Sequence, residues 1–355
     1  MKRAYLVALI AAPLVLLAFP AHAALRVFAC EPEWGALAEA LGGPLVDVSV
    51  ATSALQDPHQ IQAKPSLIAR TRNADLVVCT GAELEIGWLP VLLQQSGNAK
   101  VQPGQPANFA AADYVRKLEV PGQVDRSQGD VHASGNPHIQ TDPRNIALVA
   151  AALGDRMEQV DPAHASQYAQ RRADFMLRWQ QAMARWTAQG AALKGVPVVS
   201  QHKAFVYLYD WLGMNEVAVL EPKPGVEPSA SHLEEVLTAL KGTPVRMVLY
   251  AAYQDPRPSE WLGQHAGIPT VKVPFTVGGT EGAKDLFGLF DDTLARLLAA
   301  EATRCTGARS TGASWPRPSS RGFWYSRPTC RWAPRCWIAA SSSSTWRLPR
   351  PPGSA

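Results

Sequence analysis

The chain of 355 residues has no HExxH segment and no CxxC pair, and no repeat or low-complexity stretch interrupts it before residue 301. The first absence removes the helix-borne zinc site of many metallohydrolases. The second removes thiolate zinc sites and redox motifs. Cysteine is scarce: three of the five lie beyond residue 301, so the body holds only Cys30 and Cys79. Both close strand-like segments, Leu25–Cys30 and Ala74–Cys79, of the kind that lie side by side in a parallel sheet. A disulfide and a pair of buried free thiols both remain open to them. One apolar run stands out, Ala4 to Phe19, behind Lys2 and Arg3 and ahead of Ala21-His22-Ala23. A basic start, a short apolar run and a small-x-small site read as a secretory signal over residues 1–23 rather than a membrane span.

The formal net charge of +4 is unevenly spread. Residues 301–355 hold nine Arg, no Lys and one Glu, and Lys2 with Arg3 adds two more positive charges. Subtracting both from the total leaves −6 for residues 24–300. A mildly acidic body suits cation capture and argues against nucleic acid as a partner. The tail also holds five of the eleven Trp and follows no helical or strand period. A basic, aromatic interaction tail is one reading. Arg, Pro, Ser, Trp and Cys with almost no Lys, Asp or Glu favour the other, a non-native extension from a shifted reading frame, and no function is assigned to it.

Between these ends, apolar strand-like runs alternate with amphipathic helical ones, the pattern of parallel βαβ units. The expected fold is α/β: an N-terminal lobe over 24–160, a linking helix over 161–193 and a C-terminal lobe over 194–300. Asp161 and Pro162 suit the start of the linker, and Tyr168, Phe175, Leu177, Trp179, Met183 and Trp186 recur at three- and four-residue spacing along it. Residues 103–137 lack periodicity and read as a long loop. The last helix is expected from Ala283 to Ala300.

Three histidines share one setting. His59, in Asp57-Pro58-His59, follows the strand Val46–Thr52; His138, in Asn136-Pro137-His138, precedes a helix; His202 follows the strand Val196–Gln201. In open parallel sheets, ligands bind beyond the carboxyl ends of the strands, where these rings would meet. Three neutral imidazoles suit Zn²⁺, which takes a tetrahedral set, whereas Mg²⁺ and Ca²⁺ require more oxygen ligands. His164, His232 and His265 sit on ordinary helical surfaces. His132, with Asp125 and Asp130 nearby, is a candidate accessory metal ligand on the long loop.

These segments resemble the ligand motifs of the ZnuA-like metal receptors of bacterial ABC importers. The resemblant stretches are Asp57-Pro58-His59 to Pro65-Ser66, Asn73 to Glu85, Asn136 to Pro143 and Ser200 to Leu208, in that order. The resemblance covers about Leu25 to Ala300. It implies two Rossmann-like lobes joined by one rigid helix, with a metal in the cleft held by His59, His138 and His202. It further implies a periplasmic, monomeric receptor that delivers zinc to an inner-membrane permease and catalyses nothing. A histidine at 202, where manganese receptors of the family place a carboxylate, favours zinc. A secreted zinc-dependent hydrolase and a metal-binding adhesin of the same fold are the alternatives. Where the family often carries a ligand Asp, this chain reads Phe275-Thr276-Val277, so Asp285 is taken as the fourth ligand. It reads equally as a helix cap, and Asp255, Glu221 or a water are the other candidates.

Overall fold

A computed structural model of the protein describes residues 23–123, 129 and 132–307. All but one residue of the expected signal, and the tail from residue 308, lie outside them. The first sheet has strands β1 (Leu25–Ala29), β2 (Val46–Val50), β3 (Leu76–Cys79) and β4 (Asn108–Ala110), in the order β2-β1-β3-β4. The second has β5 (Pro197–Ser200), β6 (Asn215–Val219), β7 (Met247–Ala251) and β8 (Thr270–Val273), in the order β6-β5-β7-β8. Every pairing is parallel. Position in the sheet follows composition. β3, Leu-Val-Val-Cys, is buried throughout and lies between β1 and β4, while the edge strand β2 alternates Val with Asp and Ser and stays half-exposed.

Helices cover both faces: α1 (Pro32–Gly42), α2 (Pro65–Asn73), α3 (Leu89–Ser96) and α4 (Pro143–Val160) in the first lobe. The second carries α6 (Val206–Leu212), α7 (Ala230–Ala239), α8 (Arg257–Ala266) and α9 (Leu286–Gly307). Between them runs α5 (Ala165–Gly190), whose 26 residues rise about 39 Å. It begins later than Asp161 because a short helical turn, Pro162–His164, comes first. The Asp161 carboxylate accepts from the Tyr168 hydroxyl at 2.7 Å instead of capping the helix. α5 buries Tyr168, Phe175, Trp179, Ala182 and Trp186. The Trp179 indole N–H donates to the Pro143 carbonyl at 2.9 Å, and that of Trp186 to Asp291 in α9 at 2.6 Å. One helix is thus fastened to both lobes, and a single apolar cluster runs from Leu25 and Val27 through Trp179 to Val271 and Leu297.

Two expectations need correction. The segment 103–137 is not loop throughout, because Asn108–Ala110 joins the first sheet as β4; three residues are too few to show a period of two. The final helix starts at Leu286, not Ala283, and passes Ala300 to end at Gly307. The question left open by the cysteines is resolved. β1 and β3 are in register with Ala29 beside Val78, which sets Cys30 next to Cys79 in a disulfide with Cα atoms 4.8 Å apart. The bridge closes a loop of 49 residues, for which chain entropy gives about 4 kcal/mol. Replacing both cysteines by serine should lower the unfolding free energy by roughly 2–4 kcal/mol in denaturant titration, while an unchanged midpoint would show that the bridge contributes nothing.

Candidate metal centre

His59 lies between β2 and α2, His138 just before α4 and His202 directly after β5. Local bonds hold each one. The Trp88 indole donates to the Pro58 carbonyl at 2.8 Å, and the Asn136 side chain accepts from the His138 N–H at 3.0 Å. Gln201 is fixed from both ends, donating to the Asp255 carbonyl at 3.0 Å and accepting from the Ser259 hydroxyl at 2.7 Å. The three rings converge with centroids 5.2–5.8 Å apart, and one nitrogen from each lies within 4.8 Å of the others. His138 and His202 are 1% and 8% exposed.

Two carboxylates determine which nitrogens face inward. The Nδ1 of His59 lies 2.7 Å from an Asp57 oxygen, and that of His202 lies 2.7 Å from a Glu221 oxygen. A ring that donates its Nδ1 proton there keeps its Nε2 lone pair for a cation. Nε2 of His138 sits 3.1 Å from Nε2 of His202, whereas Nε2 of His59 and Nδ1 of His138 are buried with no partner. Burial, reinforced by the neighbouring His202, His59 and His132, pulls His138 well below the usual imidazole range. Asp57 is held below its ordinary value: burial opposes this, but the bond and charge of His59 prevail. Neutral bases with unused nitrogen lone pairs are the donor set that a borderline divalent cation takes.

The expected fourth ligand is not brought to this site. Asp285 is exposed, its carboxylate accepts from the Gly288 N–H at 2.7 Å, and it lines a separate groove with Gly35 and Phe287. Capping α9 is what it does, and the length of the turn before that helix could not be judged from sequence. Glu221 orients His202 instead of joining it, and Asp255 pairs with Arg257. Both line a cavity of about 330 Å³ with Asp57, His59, His202 and Glu227, so acidic groups surround the open side of the cluster. His132 comes closer than expected of an accessory residue. Its ring stacks on His59 with centroids 5.4 Å apart, and burial first, then His59 and His202, draw it down to about 4. Asp57 as a partner of His59 was missed, although its position two residues before that histidine was a signal available in the sequence.

A second group, Cys30, Cys79 and Glu85, also has ligand atoms within 4.8 Å, but the sulfurs are bonded to each other. Glu85 also belongs to a set of three buried acids with Glu31 and Glu33. Burial, then Glu85 and Glu33, push Glu31 well above the carboxylate range, and burial raises Glu33 and Glu85 to about 7. Glu33 accepts from the Thr276 hydroxyl across the lobes.

Two parallel α/β lobes on one long helix, with histidines at their strand exits, are the architecture of a metal-binding substrate-binding protein. The family model "Zinc-uptake complex component A periplasmic", ZnuA, matches residues 27–300, and the chain belongs to this family. The zinc-binding lipoprotein AdcA of Streptococcus pneumoniae is 24% identical over 234 residues, 65% of this chain and 46% of that protein. The manganese ABC transporter substrate-binding lipoprotein PsaA of Streptococcus anginosus is 22% identical over 252 residues, 69% of this chain and 78% of that one. The chain thus spans about half the length of AdcA. A crystal structure of ZnuA superposes with a TM-score of 0.62 at 21% identity, covering 80% of this chain and 98% of that one. The laminin-binding adhesin Lmb of Streptococcus agalactiae, as a mutant, gives 0.63 at 20%, covering 78% and 99%. The relatives include a zinc-binding lipoprotein and a manganese ABC transporter substrate-binding lipoprotein, which are binding proteins rather than enzymes.

The raised acids carry a sign. They keep protons in the folded state that the unfolded chain releases above about 4.3, so their contribution is greatest at low pH and is lost as pH rises towards about 7. Glu31→Gln should therefore raise the melting temperature at pH 8 by about 3 °C or more, with little change at pH 4.5. An equal shift at both values, read by calorimetry, would refute the protonation account.

Proposed function

We propose that this chain is a periplasmic, monomeric zinc receptor that captures Zn²⁺ through His59, His138 and His202 and delivers it to an ABC-importer permease in the inner membrane. The observation that carries the reading is the convergence of three imidazoles, two of them buried and one half-buried, with His59 and His202 oriented by Asp57 and Glu221. A donor set of three nitrogens suits zinc better than manganese, which favours oxygen donors. No carboxylate joins the three among the described residues. Water or His132 completes the tetrahedron. The signal-like pattern over residues 1–23 supports export, and the periplasmic designation of the family agrees with that compartment. The acidic cavity draws in the hydrated cation. His59 and His138 then bind it from the first lobe and His202 from the second, and α5 restricts the lobes to a small tilt.

Asp57 and Glu221 are occupied in orienting histidines and Asp255 pairs with Arg257, so none of these three is the free general base a hydrolase would need. Titration calorimetry on apo protein tests the reading. One zinc per chain is expected, with manganese bound at least about a hundredfold more weakly. His59→Ala, His138→Ala and His202→Ala should each abolish tight binding, while Glu221→Gln should weaken it roughly 10–100-fold. Retention of wild-type affinity in His59→Ala and His202→Ala would overturn the assignment.

A further inference from the structure

Outside the histidine cluster, the left-handed backbone at Gly81 continues through two residues that carry side chains. Gly81, Ala82 and Glu83 follow one another with φ of 76°, 48° and 67°, a region that residues with side chains rarely adopt. This turn leads from β3 towards α3. It is braced from beneath, where the buried Glu85 carboxylate accepts the N–H groups of Thr80 at 2.7 Å and Gly81 at 3.0 Å. The Thr80 hydroxyl donates to Glu31 at 3.1 Å and accepts from the Trp34 indole at 2.8 Å. Gly81 itself is required, since a side chain there would begin 2.9 Å from the Cβ of Ala110.

What the turn presents is Glu83, whose carboxylate accepts the N–H of Ala133 at 2.6 Å. Ala133 follows His132, and the Gly135 N–H donates back to the His132 carbonyl at 3.1 Å, closing a short turn. The two bonds fix the segment that bears the His132 ring, stacked on His59 and lining a cavity with His138 and His202. A ring carried on a long connection spends little time over a site unless its segment is tethered, because ordering the chain costs entropy.

We propose that Glu83 is a positioning residue that clamps the 132–135 turn, so that His132 closes the outer side of the three-histidine site and slows release of the bound ion. The inference rests on zinc binding at that site. The left-handed turn is the segment that carries Glu83 to Ala133.

The test is the rate at which zinc-loaded protein loses its ion to excess chelator, with equilibrium affinity from chelator competition. Glu83→Ala and His132→Ala should each speed release about tenfold, mostly through the off-rate. The double variant should be no faster than His132→Ala alone. Glu83→Gln, whose amide oxygen still accepts the Ala133 N–H, should stay within about twofold of wild type. Thermal unfolding of apo Glu83→Ala separates a lost clamp from a lost fold, and an unchanged transition with faster release supports the clamp. Wild-type release from Glu83→Ala, or effects of Glu83→Ala and His132→Ala that multiply in the double variant, would overturn it. Unchanged affinity in His202→Ala would instead remove the site reading itself, a separate outcome.

Discussion

Three imidazoles brought within 4.8 Å of one another cannot all carry charge, and the surroundings of the site answer to that constraint. Protonated rings at this spacing would repel each other and lose hydration, which favours neutral bases with lone pairs turned inward. Asp57 and Glu221 enforce the orientation by taking the outer protons of His59 and His202. His138 has no such carboxylate and relies on burial, with its ring edge against Phe275 at 5.2 Å. Nε2 of His59 and Nδ1 of His138 are buried without partners.

Holding rings from two lobes at this spacing demands a stiff frame. α5 provides it through a continuous apolar core and through two indole hydrogen bonds, one to each lobe. Glu33 adds a buried contact from α1 to Thr276, just beyond β8. A wide hinge motion would expose Phe175, Trp179 and Trp186, which are fully buried, and apolar exposure of that size is costly.

Much of this was legible from residues alone. Val-Val-Cys and Val-Leu-Tyr-Ala runs indicated strands, and mixed three- and four-residue spacing of aromatics indicated the long helix. Each of the three histidines stood at the edge of a strand or helix. β4 escaped notice because three residues carry no period, and Asp285 was misplaced because the turn before α9 keeps it as a cap. The pairing of Cys30 with Cys79 was open until strand register decided it.

The sequence by itself determined the alternation of strands and helices, the order of the histidine segments and the acidic balance of the body, because all of these follow from local spacing and composition. Tertiary structure alone decided which carboxylate serves which ring and where His132 rests. It also decided that Glu83 meets Ala133, fifty residues away. Those contacts depend on strand register and on backbone dihedrals such as the left-handed turn at 81–83, and no local pattern of side chains encodes either.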